Sequence, residues 1–197
     1  MERPEAREKT LPEKLFEDRI LFMLGELTEE VAAQLVMSLL YLESLDPDQD
    51  IFLYIHSPGG SVTAGLSVYD TMNLIQCDVW TICTGMAASM GAILLSGGTK
   101  GKRVCMPNAK VMIHQPLQGI YGYKQATEVQ IAAREILRTR ERLNQILSEH
   151  TNQPVERIHE DTERDYWMTA QESLEYGLVD SVVKTRQDIS LLVKGRT

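Results

Sequence analysis

The sequence predicts an α/β protein with a largely parallel β-sheet. Apolar segments of strand length alternate with segments of helical periodicity along most of the 197 residues. Such alternation favours βαβ units with right-handed crossovers. The length suits one domain, and a chain of this size buries roughly 70% of its unfolded surface. We therefore expect a single α/β domain with a substantial core.

The first half of the chain contains three predicted strands, each followed by a helix. Val31, Leu35 and Leu39 recur every four residues, which is typical of an amphipathic helix. Thr28 stands just before this helix, in the position of an N-cap. We predict strands over 19–27, 50–60 and 78–85, and helices over 31–42, 61–75 and 88–98.

The second half of the chain is dominated by one long helix, predicted over about 124–149. Val129, Ile136 and Leu143 lie seven residues apart along it and define an apolar stripe. These elements form one domain over 15–185, between an N-terminal segment (1–14) and a weakly patterned tail (186–197). We also predict strands over 102–107, 110–116 and 178–183, and short helices over 155–161 and 170–176.

Composition and charge exclude several classes of function. The net charge of −8 and a pI near 5.1 disfavour binding to a nucleic-acid backbone. No apolar run reaches the length of about 18 residues that marks a membrane span, and the N-terminus lacks the apolar core of a secretory signal. The three cysteines and four histidines follow no zinc-binding spacing. We therefore expect a cytoplasmic protein with reduced cysteines and with no metal, cofactor, nucleic-acid partner or membrane partner.

A serine within a run of small residues suggests nucleophilic catalysis. The segment "GMAASMGAILL" (85–95) carries one hydroxyl, Ser89, at a predicted strand-to-helix turn. A serine becomes a nucleophile when a base takes its proton and a third group orients that base. His114 ends a predicted strand and is the candidate base, although each such residue alone is more often structural. The candidate acids are Asp161, Glu163 and Asp165.

The segment "SPGG" (57–60) supplies candidate donors for an oxyanion hole. Without a Cβ, Gly59 and Gly60 let backbone N–H groups approach a substrate carbonyl. Met90 follows Ser89 at a predicted helix start, where the helix dipole favours negative charge. Its N–H is the candidate second donor. Taken alone, a proline–glycine–glycine segment is typical of any turn.

Four motifs in one order carry a family resemblance. They are "YIHSPGGSVTAG", "GMAASMGA", "MIHQP" and "DTERDYWM". In order and spacing they resemble the proteolytic subunit of the Clp protease, the ClpP family, over about 15–183. The resemblance implies a serine endopeptidase with Ser89 as nucleophile, His114 as base and Asp165 as orienting acid. It also implies that Gly60 and Met90 donate the oxyanion hole.

The resemblance further implies an architecture and partners. The ClpP family fold is a crotonase-like α/β spiral of stacked βαβ units with a long protruding handle helix, here 124–149. Two stacked heptameric rings enclose the active sites, and a hexameric AAA+ unfoldase uses ATP to deliver unfolded protein substrates. Residues 1–14 correspond to the N-terminal axial segment. In relatives, the residues that correspond to Glu128, Glu163 and Arg164 bridge the two rings.

One segment, 117–126, departs from the family pattern. Relatives carry a shorter glycine-rich sequence between the histidine and the handle. This chain has "LQGIYGYKQA", with the bulky residues Ile120, Tyr121 and Tyr123. Because this segment binds substrate and contacts the other ring in relatives, we expect it to alter peptide preference and ring stacking.

Three other functions stand as alternatives. The complete set of Ser89, His114 and Asp165 argues against a catalytically silent structural subunit of a mixed ring. A crotonase-type acyl-CoA enzyme does not need a serine–histidine pair, and a membrane-linked serine–lysine peptidase does not need His114.

The sequence also lacks a phosphate loop. In "SGGTKGKR" (96–103), Ser96 and Arg103 replace residues that a phosphate loop requires, so ATP hydrolysis belongs to a partner.

Overall fold

One β-sheet organises the fold. A computed structural model describes residues 8–117, 125–185 and 187–189, and within these ranges seven strands form a single sheet. The strands are β1 (Ile20–Leu24), β2 (Ile51–Ser57), β3 (Val79–Ala88), β4 (Arg103–Cys105), β5 (Lys110–Ile113), β6 (Tyr166–Thr169) and β7 (Ser181–Val182). Strands β1, β2, β3, β4 and β7 follow one another in this order, and all neighbours are parallel. The predicted α/β class is confirmed.

Helices connect the parallel strands. They are α1 (Leu11–Glu17), α2 (Glu29–Leu45), α3 (Val62–Leu74), α4 (Met90–Ser96), α5 (Ala126–Thr151), α6 (Val155–Asp161) and α7 (Ala170–Tyr176). Two elements were not predicted, α1 and β6. A capping box between Thr10 and Glu13 begins α1, and β6 is mostly exposed and directly follows a charged segment.

Both faces of the sheet are apolar, as expected for parallel strands. Along β2, Ile51, Leu53 and Ile55 are fully buried in the main core, which the helices complete. Their neighbour Phe52 points to the other face, where it stacks on Trp80 with ring centroids 5.9 Å apart. This second, smaller cluster also contains Ile82, Val104 and Val183.

The buried Arg19 connects the start of the sheet to the end of α2. Its guanidinium donates to the carbonyl oxygens of Leu42 and Asp46 at 3.0 and 3.1 Å. It also donates to the carbonyl oxygen of Gln49 at 3.0 Å. Leu42 lies in the last turn of α2, and Asp46 and Gln49 follow the helix. Arg19 therefore fixes the chain at the C-terminus of α2 and just after it.

Strand β3 branches, and this branch builds the functional site. Its first part pairs with β4 from Thr81 to Cys83. Its last part continues past the predicted end at Gly85 and pairs with β5 from Met86 to Ala88. The N–H of the next residue, Ser89, donates to the carbonyl of Met112 in β5 at 2.9 Å. The branch thus brings the residues after β3 and after β5 to the same edge.

The long helix α5 divides into two parts of different burial. It begins at Ala126 and ends at Thr151, close to the predicted bounds, and Lys124 lies outside the described residues. Its C-terminal part packs into the core through Leu143, Ile146 and Leu147. Before Leu143, none of its residues is buried. Most of segment 117–126, which departs from the family pattern, also lies outside the described residues, including Ile120, Tyr121 and Tyr123.

The cysteines are free thiols in the interior. Cys77, Cys83 and Cys105 are all buried, and none forms a disulfide. Burial raises the pKa of the Cys77 thiol. None of the helices in the described part of the chain is both long and apolar enough to cross a membrane.

Candidate active site

Ser89 occupies a sharp turn between β3 and α4. Its backbone has φ 55° and ψ −123°, a conformation with positive φ that non-glycine residues rarely adopt. Such a conformation costs roughly 1–3 kcal/mol and persists only when the surroundings fix it. Here the β3–β5 ladder holds the residue before the turn and α4 holds the residue after it. The turn presents the Ser89 hydroxyl to the cleft beside it.

His114 and Asp165 meet beside this hydroxyl. His114 Nε2 lies 2.9 Å from Ser89 Oγ, and His114 Nδ1 lies 3.1 Å from Asp165 Oδ1. The antiparallel pairing of β5 with β6 places Ile113 opposite Tyr166, so His114 and Asp165 are adjacent across the strands. The His114 side chain is 15% exposed and that of Asp165 is 60% exposed. The structure thus brings the three sequence-predicted residues into one hydrogen-bonded chain.

The two other candidate acids have different partners. Asp161 accepts a hydrogen bond from the Tyr176 hydroxyl at 2.7 Å. Burial of the Tyr176 phenol, together with this hydrogen bond, raises the pKa of Tyr176. Glu163 lies 3.9 Å from Arg140 of α5. Among the three candidates, only Asp165 contacts His114 within the described residues.

The geometry fixes a consistent set of proton positions. A carboxylate only accepts hydrogen bonds, so the proton of neutral His114 belongs on Nδ1, where it faces Asp165. The lone pair of Nε2 then faces Ser89, whose hydroxyl donates to it at 2.9 Å. This tautomer allows His114 to take a proton from Ser89.

Two backbone N–H groups near Ser89 are available as donors. The N–H of Gly59 donates to Ser57 Oγ at 3.1 Å, whereas those of Gly60 and Met90 donate to no group in the described residues. Met90 begins α4, and the first N–H groups of a helix have no partner inside it. A Cβ on Gly60 would lie 2.3 Å from the carbonyl oxygen of Leu27. Only glycine fits at this position of the loop.

An apolar cleft of about 300 Å³ opens beside Ser89 and His114. Helix α5 contributes Leu143, Asn144 and Leu147 to its wall. The ionisable groups among its lining residues are His114 and Glu26. The cleft is therefore suited to an apolar group of a ligand. Its other lining residues are Pro58, Gly59, Gly60, Val62, Met90, Ile93, Ile113, Pro116 and Leu117.

The predicted ring-contact residues do not form one cluster in the single chain. The carboxylate of Glu128 accepts a hydrogen bond from the N–H of Gln125 at 3.0 Å and caps the start of α5. Twelve residues of helix, about 18 Å, separate it from Arg140, the neighbour of Glu163. Arg164 forms no ion pair with any described residue. Their role between rings stays a prediction.

The sequence did not single out two residues that support the site. Gln115 follows His114 and binds the segment that leads to Asp165. The buried Asn144 lies within 3.2 Å of the Thr162 hydroxyl in that same segment. Adjacency to His114 was the only signal for Gln115, and no pattern distinguished Asn144 from other polar residues of α5.

The fold and the site together define an α/β protein in which a serine, a histidine and an aspartate form a hydrogen-bonded chain beside an apolar cleft. Compared with models of known protein families, the chain matches the Clp protease family over residues 3–186. The chain belongs to the Clp protease family, a family of peptidases, and the resemblance predicted from the four motifs is confirmed.

Proposed function

We propose that the protein is a serine endopeptidase that uses Ser89, His114 and Asp165. His114 takes the proton of Ser89 as its oxygen attacks the peptide carbonyl, and then gives that proton to the leaving amine. Water, activated by the same imidazole, hydrolyses the resulting acyl-enzyme. Asp165 keeps His114 in the tautomer with its proton on Nδ1 and stabilises the imidazolium that His114 becomes. The chain of hydrogen bonds of 2.9 and 3.1 Å carries this proposal.

The oxyanion hole is proposed to consist of the N–H groups of Gly60 and Met90. Both are unpaired within the described residues and lie on either side of the Ser89 turn. Donors that are fixed before the reaction stabilise the developing oxyanion without reorganisation. Each such donor contributes roughly 3–4 kcal/mol to transition-state stabilisation.

The proposed substrates are unfolded polypeptides, cut into short peptides. In this proposal the cleft binds an extended chain, with one apolar side chain packed against the wall that Leu143 and Leu147 of α5 form. A folded protein does not present such a segment, so a separate hexameric AAA+ unfoldase is the proposed source of substrate and the site of ATP hydrolysis. The three free thiols fit the proposed location in the reducing cytoplasm.

The proposed assembly is two stacked heptameric rings. The first part of α5 supports it, because Val129, Ile131 and Leu137 are 39%, 60% and 53% exposed there without any buried neighbour in that part of the helix. A second ring would cover these side chains. Glu128, Glu163 and Arg164 are proposed as the polar contacts between the rings.

The ring contact has a direct test in Glu128→Gln. This variant removes the charge but keeps a side chain that can complete the capping box of α5. We expect a smaller particle by native mass and a loss of peptidase activity. A variant that stays tetradecameric and fully active would contradict the proposed contact.

The peptidase activity itself is tested with Ser89→Ala and a fluorogenic peptide that has an apolar residue before the bond to be cut. We expect turnover to fall by a factor on the order of 10⁶, as in other triads. Ser44→Ala is the matched control, since Ser44 is an exposed residue of α2 that donates to the Tyr41 carbonyl. If an assembled wild-type particle cuts no peptide, the alternative of a catalytically silent structural subunit replaces the proposal.

A further inference from the structure

The contacts of Asp165 do not by themselves explain its position. Its side chain is 60% exposed, and its carboxylate has His114 as its one hydrogen-bond partner among the described residues. An exposed carboxylate with one partner has many rotamers and backbone positions available to it. The segment that carries Asp165 must therefore be fixed by contacts of its neighbours.

One side of this segment is fixed by the β-sheet. Tyr166, which follows Asp165, pairs with Ile113 in the antiparallel ladder of β5 and β6. The ladder ends at this pair, and the side chain of the next residue, His114, contacts Ser89. The ladder alone therefore does not connect the residues before Asp165 to β5 or to the residues that follow β5.

Gln115 supplies that connection at two points. Its backbone N–H donates to the carbonyl of Thr162 at 2.7 Å. Its side-chain Nε2 donates to the carbonyl of Glu163 at 2.9 Å. Asp165 lies between this double contact and the first pair of the ladder, at Tyr166. The loop that carries the carboxylate is thus held on both sides by the residues that flank His114.

The far end of the contact is rigid. Thr162 is 1% exposed, and its hydroxyl donates to the carbonyl of Ile158 in α6 at 2.7 Å. The same hydroxyl oxygen lies 3.2 Å from the side chain of Asn144 in α5. The two carbonyl groups that Gln115 binds, those of Thr162 and Glu163, therefore lie at a buried residue and directly after it.

We propose that Gln115 is a positioning residue, whose side-chain amide holds the segment 162–165 so that Asp165 stays in hydrogen-bonding distance of His114. This inference rests on the proposed function. Gln115 acts through Asp165 and takes no part in bond formation. Its loss should slow the attack by Ser89 and leave peptide binding unchanged, because a displacement of about 1 Å can slow a reaction about 100-fold.

The test is a double-mutant cycle on the rate of Ser89 labelling by a fluorophosphonate, followed by intact mass. Gln115→Leu removes the amide donor and keeps a side chain of similar size. We expect labelling to slow by about 10-fold to 100-fold in the wild-type background. In the Asp165→Ala background the same change should slow labelling by less than about twofold, since the group it positions is absent.

Two further measurements separate positioning from general damage. The acid limb of the pH profile of Gln115→Leu should move to lower pH, because a displaced Asp165 favours the imidazolium less. Gln115→Asn, whose amide is one carbon shorter, should behave like Gln115→Leu. Gln171→Leu is the matched control, because the Gln171 amide donates to the exposed Glu175 at 3.0 Å on α7, and it should label at the wild-type rate.

Equal slowing by Gln115→Leu in both backgrounds, or no slowing in either, would overturn the inference. In both cases wild type is still labelled at Ser89, so the proposed function stands. If wild type itself is not labelled, the proposed function fails and the inference fails with it.

Discussion

Gly59 lies directly against Ser89. A Cβ added to Gly59 would be 2.7 Å from the Ser89 Cβ and 2.8 Å from the carbonyl oxygen of Ala88. The φ angle of Gly59 is +96°, which side chains other than glycine rarely adopt. The glycine loop after β2 and the turn after β3 therefore fit each other without space for one methyl group. The position of Ser89, the proposed nucleophile, depends on this contact.

Gly59→Ala should inactivate the site. The new methyl group meets backbone atoms and must displace either the loop or Ser89, so we expect at least about 100-fold lower peptidase turnover. Gly25→Ala is the matched control. It has a similar φ of +80° but open space around the added Cβ, so it should cost about 1–2 kcal/mol of stability and leave turnover unchanged. Equal turnover in both variants would contradict the importance of the Gly59–Ser89 contact.

Cleavage should favour an apolar residue on the amino side of the cut bond. The wall of the cleft is apolar around Leu143 and Leu147, and Glu26 is its carboxylate. A second carboxylate in this cleft would lose hydration, and the described lining residues include no lysine or arginine to pair with it. Mass spectrometry of the products of an unfolded protein should show leucine or methionine at least about 10-fold more often than aspartate or glutamate at this position. An equal frequency of acidic residues would be inconsistent with binding in this cleft.

Asp180→Ala should destabilise the fold strongly. The Arg103 guanidinium, 5% exposed, forms an ion pair with Asp180 and also donates to the carbonyls of Ser96 and His150. Burial raises the pKa of Asp180, but hydrogen bonds from Arg103 and Gly101 more than offset this and hold the pKa below its usual value. The ionised Asp180 carboxylate therefore stabilises the fold at neutral pH, and this stabilisation is lost as pH falls through the lowered pKa.

Removing one partner of a buried ion pair leaves the other uncompensated, at a cost of about 3–5 kcal/mol. Chemical denaturation of Asp180→Ala at pH 7 and fixed protein concentration measures this loss. Glu135→Ala removes an exposed pair with Arg138, and we expect little change from it. If Asp180→Ala lowers the free energy of unfolding no more than Glu135→Ala does, the Arg103–Asp180 pair does not stabilise the fold as we expect.

The stability of the protein should fall as pH drops below about 6.5. Burial, followed by the charge of Arg103, lowers the pKa of His150, while Glu149 opposes this shift. Because folded His150 binds a proton less readily than the unfolded chain does, acid favours unfolding until the pH reaches the lowered pKa. His150→Gln keeps a polar partner for the Tyr69 hydroxyl, which lies 2.8 Å from His150 Nε2, but cannot titrate. Its melting temperature should depend less on pH between 7.5 and 5.5 than that of wild type, and an unchanged dependence would contradict this account.

The alternation of strands and helices was readable from the sequence because each main element has a clear period. The helix α2 follows the spacing of Val31, Leu35 and Leu39, and β2 is a short apolar run that ends at a glycine turn. The elements α1 and β6 were missed because α1 has no buried residue and β6 is mostly exposed, so neither has a buried apolar face. Their formation depends on contacts with the rest of the fold more than on their own pattern.

The residues of the candidate site could be named from the sequence, but their proximity in space could not. The motifs indicated Ser89, His114 and Asp165, but their proximity follows from the extension of β3 to Ala88 and its pairing with β5. Periodicity cannot show that a strand changes neighbours along its length. For the same reason Gln115 escaped notice, since its two acceptors lie almost fifty residues away in the chain.

The most direct test of the account is the intact mass of wild type and Ser89→Ala after exposure to a fluorophosphonate, with native mass recorded in parallel. We predict one adduct per subunit in wild type, no adduct in Ser89→Ala, and a particle of fourteen subunits. An assembled wild-type particle without an adduct, or an equal adduct in Ser89→Ala, would contradict the central claim that Ser89 is the nucleophile.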